Sequence, residues 1–150
     1  MNSCFMFGNR DCPESSLPKI EKTIEQFYLK NKITTFYVGN RGNFDRLAAV
    51  AVKHMKRHYP EIKLYLVLAY HPAERPVYLS EGFDNSYYPP LENVPRPYAI
   101  VRGNRYMVSH CDSIICYVNH FGNTRSLLEY AQRQQKRNGI ILENLAQSDM

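Results

Sequence analysis

One order of elements occurs three times along this chain: a short apolar run, a polar loop, and then a helix with one apolar face. The apolar runs are Cys4–Phe7, Ile33–Val38 and Ser113–Val118, and each has the length and side-chain content of a buried strand. Strands that alternate with helices pair in parallel, because each helix carries the chain back across the sheet. The order therefore predicts an α/β fold with right-handed crossovers.

The segments between these runs complete the same pattern, with proline at helix starts and Asn-Gly at a helix end. The remaining predicted elements are a helix from Leu17 to Asn31, a helix from the 39–43 loop to Pro60, the strand Ile62–Tyr70, a short helix Arg102–His110, a helix Arg125–Lys136 and the strand Ile140–Leu142. At 150 residues the chain fits one domain with its own core. We predict a single three-layer Rossmann-like domain over residues 1–150, with about five parallel strands and helices on both faces.

Two stretches fall outside this pattern. Residues 71–97 hold six of the nine prolines together with several tyrosines, which predicts an excursion with little regular structure. Such a segment either forms a wall of a pocket or a protein contact, or is an ordered surface loop with packed tyrosines. Residues 144–150 are expected to form a polar tail.

Charge and hydropathy narrow the classes of partner. The net charge of +5 favours an anionic partner. The densest basic cluster, Lys53 to His58, lies at the end of a predicted helix, where cations complement the helix dipole, so nucleic acid is an unlikely partner. No apolar run approaches the ~20 residues of a membrane span, and residues 1–8 lack the features of a secretory leader. We therefore expect a cytoplasmic protein without a membrane partner.

Histidine and cysteine spacings do not indicate a metal site or a disulfide framework. Cys4, Cys12, Cys111 and Cys116 form no C-x-x-C pair, so free buried thiols are expected. His54 and His58 have a zinc-compatible spacing, but no third ligand accompanies them. We predict no metal and no required cofactor.

Polar loops follow three of the predicted strands, at residues 8–11, 39–43 and 122–124. They are rich in glycine and asparagine, and the first two contain arginine. Because parallel strands end at one sheet edge, one phosphorylated ligand can contact all three loops through backbone N–H groups, helix N-termini and guanidiniums. The alternative is that these residues only build turns and caps. Neither phosphate-binding glycine motif of ATPases or dinucleotide dehydrogenases occurs.

These loops also resemble a known family. Residues 7–11 (FGNRD), 38–45 (VGNRGNFD) and 102–107 (RGNRYM) leading to 111–118 (CDSIICYV) are similar, in order and spacing, to the SLOG superfamily. The likeness is to its small, stand-alone YpsA-like members and covers Phe5 to about Gly139. It implies a Rossmann-like domain that binds nucleotides or nucleotide-derived molecules. Relatives include phosphoribohydrolases, DNA-processing proteins and sensors of NAD-derived or cyclic-nucleotide signals, and many form homo-oligomers.

The loops and the resemblance together give a predicted ligand-binding set. It consists of Gly8, Asn9, Arg10, Gly39, Asn40, Arg41, Gly42, Asn43, Asp45, Arg102, Arg105, His120, Gly122, Asn123 and Thr124. The expected partner is a nucleotide-type small molecule, with a homo-oligomer as a further expectation.

Two departures from the family pattern bear on catalysis. Asn9 stands where small members often have histidine, and Leu127 stands where the hydrolase turn has glutamate. Glu129 lies about 200° further round the helix and should not substitute. We therefore expect a ligand-binding sensor or regulator. The alternatives are a nucleotide N-glycosidase or phosphoribohydrolase that uses Asp11, Asp45 or His120, and a protein-interaction adaptor with a vestigial pocket.

Overall fold

A parallel sheet with helices on both faces organises residues 2–146, the part of the chain that the computed structural model describes. The six strands of this part are β1 (Ser3–Gly8), β2 (Thr35–Val38), β3 (Lys63–Val67), β4 (Asn85–Tyr87), β5 (Ser113–Tyr117) and β6 (Ile141–Asn144). Its four α-helices are α1 (Leu17–Asn31), α2 (Asn43–His58), α3 (Ala99–His110) and α4 (Asn123–Asn138). Every strand pair is parallel, in the order β4-β3-β2-β1-β5-β6. The predicted Rossmann-like α/β fold is confirmed.

The two faces of β1 show how the core is divided. Cys4 and Met6 are buried in the cluster that includes the apolar faces of α1 and α2. Phe5 and Phe7 point the other way and pack in the cluster that includes α3 and α4. Alternate side chains of a strand face opposite sides of a sheet, so a fully apolar strand such as β1 must be covered on both sides.

The position of β1 creates a switch point in the sheet. Its neighbours are β2 on one side and β5 on the other, so the connections that follow these two strands run in opposite directions. In sheets of this kind a crevice opens at the carboxyl ends of the strands where the direction changes. The first loop, beginning at Gly8, lies at that crevice.

Strand β4 is a sixth strand that the sequence did not indicate. It lies within residues 71–97, where the structure was expected to be mostly irregular. The Leu68 N–H donates to the Tyr87 carbonyl at 2.8 Å. Asp84 Oδ2 accepts from the Leu64 N–H at 2.8 Å and from Lys56 Nζ at 2.6 Å, which fixes the start of the strand at the sheet edge. A three-residue strand beside prolines carries too little pattern to be recognised from sequence.

The chain remains packed beyond the predicted last strand. Asn144 is 8% exposed and Leu145 is 1% exposed, so these two residues depart from the expected polar tail. The Asn144 side chain accepts from the Val118 N–H at 3.0 Å and donates to the Val118 carbonyl at 3.1 Å. These two bonds continue the hydrogen bonding of the sheet beyond β5. Residues 147–150 of that tail lie outside the described residues. None of the four helices in 2–146 is long and apolar enough to span a lipid bilayer.

Candidate functional site

A cleft of about 210 Å³ opens at the carboxyl ends of β1, β2 and β3, beside the first turns of α3 and α4. We call it the central cleft. Eight residues of the predicted ligand-binding set line it, drawn from all three polar loops, from the first turn of α2 and from α3: Gly8, Arg10, Gly39, Arg41, Asp45, Arg105, Asn123 and Thr124. Apolar side chains of β1 and of the segment at the end of β3, including Phe5, Phe7 and Leu68, complete the lining.

The first two loops are locked against each other. The Asn43 N–H donates to the Arg10 carbonyl at 2.9 Å, and the Asn43 side-chain amide donates to the Cys12 carbonyl at 2.5 Å. Gly42 lies so close that a Cβ there would be 2.6 Å from the Arg10 Cα. Asn43 and Gly42, predicted as ligand contacts, therefore act within the protein by fixing the backbone that carries Arg10.

The first loop is also joined to the third. Asn9 is 2% exposed, and its Oδ1 accepts from the Asn119 N–H at 2.9 Å. Its own N–H donates to the Tyr117 carbonyl at 2.9 Å. Asn9 is therefore a hydrogen-bonded joint between β1 and the loop after β5. Its side chain does not line the cleft as the described residues form it.

Two of the three arginines that line the central cleft, Arg10 and Arg41, come from its polar loops. Arg10 and Arg41 come from different loops, and no hydrogen bond or ion pair to either guanidinium is found within residues 2–146. The Arg41 backbone N–H donates to Asp45 Oδ2 at 2.9 Å. Burial raises the pKa of the Asp45 carboxyl from 3.8 to about 6, although that hydrogen bond and both guanidiniums act to lower it. Asp45 therefore titrates just below neutral pH.

The α4 side of the cleft supplies backbone donors. Asn123 and Thr124 form the first turn of α4, where N–H groups lack partners within the helix. The preceding Gly122 does not line the cleft but has φ 136°, a conformation that favours glycine. Arg105 reaches the cleft from α3, and its guanidinium lies 5.1 Å from the centre of the Tyr130 ring on α4.

Arg102 was predicted as a ligand contact and lies elsewhere. The predicted helix began at residue 102, whereas α3 begins at Ala99. Ile100, Gly103 and Asn104 share the face that lines the cleft, and Arg102 is exposed on another face. Asn104 is thus a cleft residue that the sequence reasoning missed. The helical spacing of 100, 103 and 104 was the signal that could have found it.

His120 and Asp11, two of the three candidate catalytic residues, form an exposed pair away from the cleft. His120 Nε2 lies 3.1 Å from Asp11 Oδ1. The Phe121 carbonyl and then Asp11 raise the pKa of His120, and the hydrogen bond to His120 lowers the pKa of Asp11. These two residues link the first and third loops at the surface. Asp45 is the candidate that lines the cleft.

The residue expected to be decisive for hydrolysis is at the cleft as well. Leu127, which stands where the hydrolase turn has glutamate, lines the cleft and is 7% exposed. Glu129 is exposed and is absent from the cleft lining that the described residues form. The position at which the hydrolase turn has glutamate therefore carries an apolar side chain at the cleft.

Thiols and histidines supply no further chemistry at the cleft. All four cysteines are buried, and burial raises the pKa of each thiol. His54 Nδ1 lies 2.5 Å from Glu21 Oε2. Over residues 2–146 no three His, Cys, Asp or Glu side chains converge as a metal site would require.

Comparison with known proteins supports the fold. No model of a protein family matches the chain, and no curated protein matches it in sequence. Among solved structures it is similar to the X-ray structure of DNA processing protein A (DprA) from Streptococcus pneumoniae, with a TM-score of 0.63 and 18% sequence identity. The match covers 95% of this chain and 49% of that one, so this chain spans about half its length. At this identity the likeness shows a shared Rossmann-like fold alone.

Proposed function

We propose that this protein binds a nucleotide or nucleotide-derived phosphate ester in the central cleft and acts as a sensor or regulator. Membership of the SLOG superfamily, indicated by the loop motifs, is part of this proposal. The observation that carries it is the pair Arg10 and Arg41: two guanidiniums without ion-pair partners in residues 2–146, supplied by two interlocked loops and directed to one cleft.

The surroundings of this pair suit a phosphorylated sugar. Guanidiniums bind phosphate oxygens in a bidentate manner. The first turn of α4, at Asn123 and Thr124, adds N–H donors and partial positive charge. The apolar lining from Phe5, Phe7 and Leu68 suits the carbon face of a sugar or base. Hydrogen bonds from Asn43 hold the loop that carries Arg10 before any ligand is bound.

A thermal-shift screen of the full chain tests this function. We expect AMP, cyclic AMP and NAD to include a ligand that raises the melting temperature, because a ligand at 100 times its Kd stabilises by about 2.7 kcal/mol. Adenosine, which lacks the phosphate, should be at least tenfold weaker. If adenosine matched AMP, the phosphate assignment would be wrong. If no phosphate ester produced a shift, the adaptor hypothesis would replace this one.

The screen should also include a short single-stranded oligodeoxynucleotide, because the similar solved structure is named for DNA processing. The central cleft holds only about 210 Å³, below the ~300–1,000 Å³ of typical ligand pockets. We therefore expect the oligonucleotide to bind no more tightly per phosphate than AMP. A clear preference for the oligonucleotide would overturn the small-molecule assignment.

A second candidate function is hydrolysis of an N-glycosidic bond, and Asp45 is the observation that favours it. A carboxyl group with a pKa of about 6 lining a ligand cleft can carry or accept a proton near neutral pH. Chromatography of AMP or NAD after incubation with the protein tests this reaction. Release of the free base that disappears in Asp45→Asn would establish it, whereas intact ligand would leave binding as the function.

The pH dependence of binding follows from Asp45. Its carboxylate lies close enough to Arg10 and Arg41 for their charges to act on it, so it opposes an anion bound there. We expect the affinity for cyclic AMP, whose phosphodiester keeps its charge over this range, to rise about fivefold as the pH falls from 7.5 to 5.5. Isothermal titration calorimetry at both pH values measures this change.

Asp45→Asn is the matched control for this pH effect. The amide oxygen can still accept from the Arg41 N–H, so the variant should bind cyclic AMP at pH 7.5 as wild type does at pH 5.5, with no pH dependence. The raised pKa also means that folded wild type loses stability as pH rises through about 6, and the variant should not. Weaker binding at low pH would instead indicate that the Asp45 carboxylate accepts from a ribose hydroxyl.

A further inference from the structure

A second hollow adjoins the central cleft on its β3 side. We call it the outer hollow; it has a volume of about 350 Å³ and is lined by Asn40, Arg41, Tyr70, Arg75 and Tyr78, with Leu66 and Leu68 beneath. Arg41 and Leu68 line both spaces. Asn40, predicted as a ligand contact, lies here and does not line the central cleft that the described residues form. Arg41 and Leu68 therefore lie between the two spaces.

Arg75 is held in place at the outer hollow. The turn that carries it is closed by hydrogen bonds from the Glu74 and Arg75 N–H groups to the His71 carbonyl, at 2.9 and 3.0 Å. Its guanidinium lies 4.5 Å from the centre of the Tyr70 ring. Within residues 2–146 that guanidinium has no ion pair. A second positive charge is thus fixed beside Arg41.

Arg96 also contacts the Tyr70 ring, but its charge is paired. Its guanidinium lies 4.8 Å from the centre of Tyr70, but it is paired with Glu74 and does not line the outer hollow as described. The charge of Arg96 is therefore balanced by the protein. The charge of Arg75 is directed to the space it lines.

Tyr78 completes the outer hollow with an aromatic surface. It is 88% exposed. This exposure is unusual, because contact of a tyrosine ring with apolar or planar groups is energetically favourable. Tyrosine rings offer a flat platform on which a nucleic acid base can stack. A guanidinium and an exposed ring on one wall match a phosphate joined to a nucleoside.

We propose that the outer hollow is a second nucleoside subsite, so that the ligand is a dinucleotide whose two nucleosides are joined by a pyrophosphate. This inference rests on the proposed function of the central cleft. Arg41, which lines both spaces, binds the bridging phosphates; Arg10 binds from the inner side and Arg75 from the outer side. The second base stacks on Tyr78. A mononucleotide would use only the smaller space, and two charges separated along the groove match a bridged ligand better than a single phosphate.

Calorimetric titration of the full chain with AMP and with diadenosine diphosphate tests this subsite. We expect diadenosine diphosphate to bind at least tenfold more tightly than AMP. Arg75→Ala should remove about tenfold of affinity for diadenosine diphosphate and leave that for AMP within twofold. Tyr78→Ala should behave in the same way, and Tyr78→Phe should retain wild-type affinity. Arg96→Ala, the matched control on the same ring, should change neither ligand by more than twofold.

The outcomes separate this inference from the proposed function. If AMP binds and Arg10→Ala weakens it, but diadenosine diphosphate binds no more tightly than AMP or is unaffected by Arg75→Ala, the outer subsite is wrong and the central cleft remains. If neither compound binds, the outer subsite is wrong, and the central cleft is overturned as well only if cyclic AMP and NAD also produce no thermal shift. If Arg96→Ala and Arg75→Ala weaken diadenosine diphosphate equally, the effect arises from the Tyr70 turn and the subsite is also wrong.

Discussion

Gly42→Ala is expected to abolish nucleotide binding at the central cleft and to lower the free energy of unfolding by about 2 kcal/mol. An added Cβ would lie 2.6 Å from the Arg10 Cα. That neighbour is backbone, so no change of rotamer relieves the contact, and the two loops must separate. Separation breaks the bond from the Asn43 N–H to the Arg10 carbonyl and displaces the Arg10 guanidinium. Urea unfolding and AMP titration measure the two effects.

Gly139→Ala is the matched control for this prediction. Gly139 has φ 67°, which disfavours alanine, but an added Cβ would meet no described atom within 4 Å. This variant should lose about 1 kcal/mol of stability through backbone strain and keep full affinity for AMP. Equal loss of AMP binding in both variants would mean that general destabilisation accounts for the Gly42 result. Full binding in Gly42→Ala would mean that the loop contact does not position Arg10.

The convergence of the three loops could be predicted because it follows from topology. Gly8, Gly39 and Asn123 are far apart in sequence, but each lies at or after the carboxyl end of a strand, and parallel strands end at one edge. The order of the strands along the sheet could not be predicted in this way. Which strand occupies the centre depends on the packing of helices against each face, and a single sequence leaves that open.

The start of the helix that carries Arg102 differs from the prediction. The prolines suggested mostly irregular structure over residues 71–97, yet proline is favoured in a first helical turn. Arg96–Tyr98 forms a 3-10 turn that leads directly into α3 at Ala99. Within this helix Asn104 lines the cleft, whereas Arg102 is exposed on another face.

The roles of Asn9 and His120 could not have been predicted from their own loops. Each depends on a partner more than 100 residues away in sequence, Asn119 for Asn9 and Asp11 for His120. A polar residue in a loop has the same sequence signature whether it contacts a ligand or holds another loop. The fold reveals these inter-loop hydrogen bonds, which neither loop indicates by itself.

Arg10→Ala and Arg41→Ala are each expected to weaken AMP binding by about tenfold to a hundredfold. Hydrogen bonds to a charged partner contribute about 1.5–3 kcal/mol, and each 1.4 kcal/mol is a factor of ten. Neither guanidinium has an ion-pair partner in residues 2–146, so removing one breaks no ion pair there. The melting temperature of the unliganded variants should therefore stay within about 3 °C of wild type. Calorimetric titration and thermal unfolding of the same samples measure both quantities.

Arg57→Ala separates a local contact from the overall positive charge. Arg57 is an exposed residue in the last turn of α2, the helix whose first turn carries Asp45. Removing the Arg57 charge changes the net charge by as much as Arg10→Ala or Arg41→Ala does. AMP affinity should nevertheless fall less than twofold, because solvent screens the interaction between charges this far apart. A loss as large as that for Arg41→Ala would mean that AMP responds to net charge alone. A large fall in the unliganded melting temperature of Arg10→Ala or Arg41→Ala would instead mean that these side chains stabilise the loops. A side chain whose only role is ligand binding stabilises the protein only when the ligand is bound.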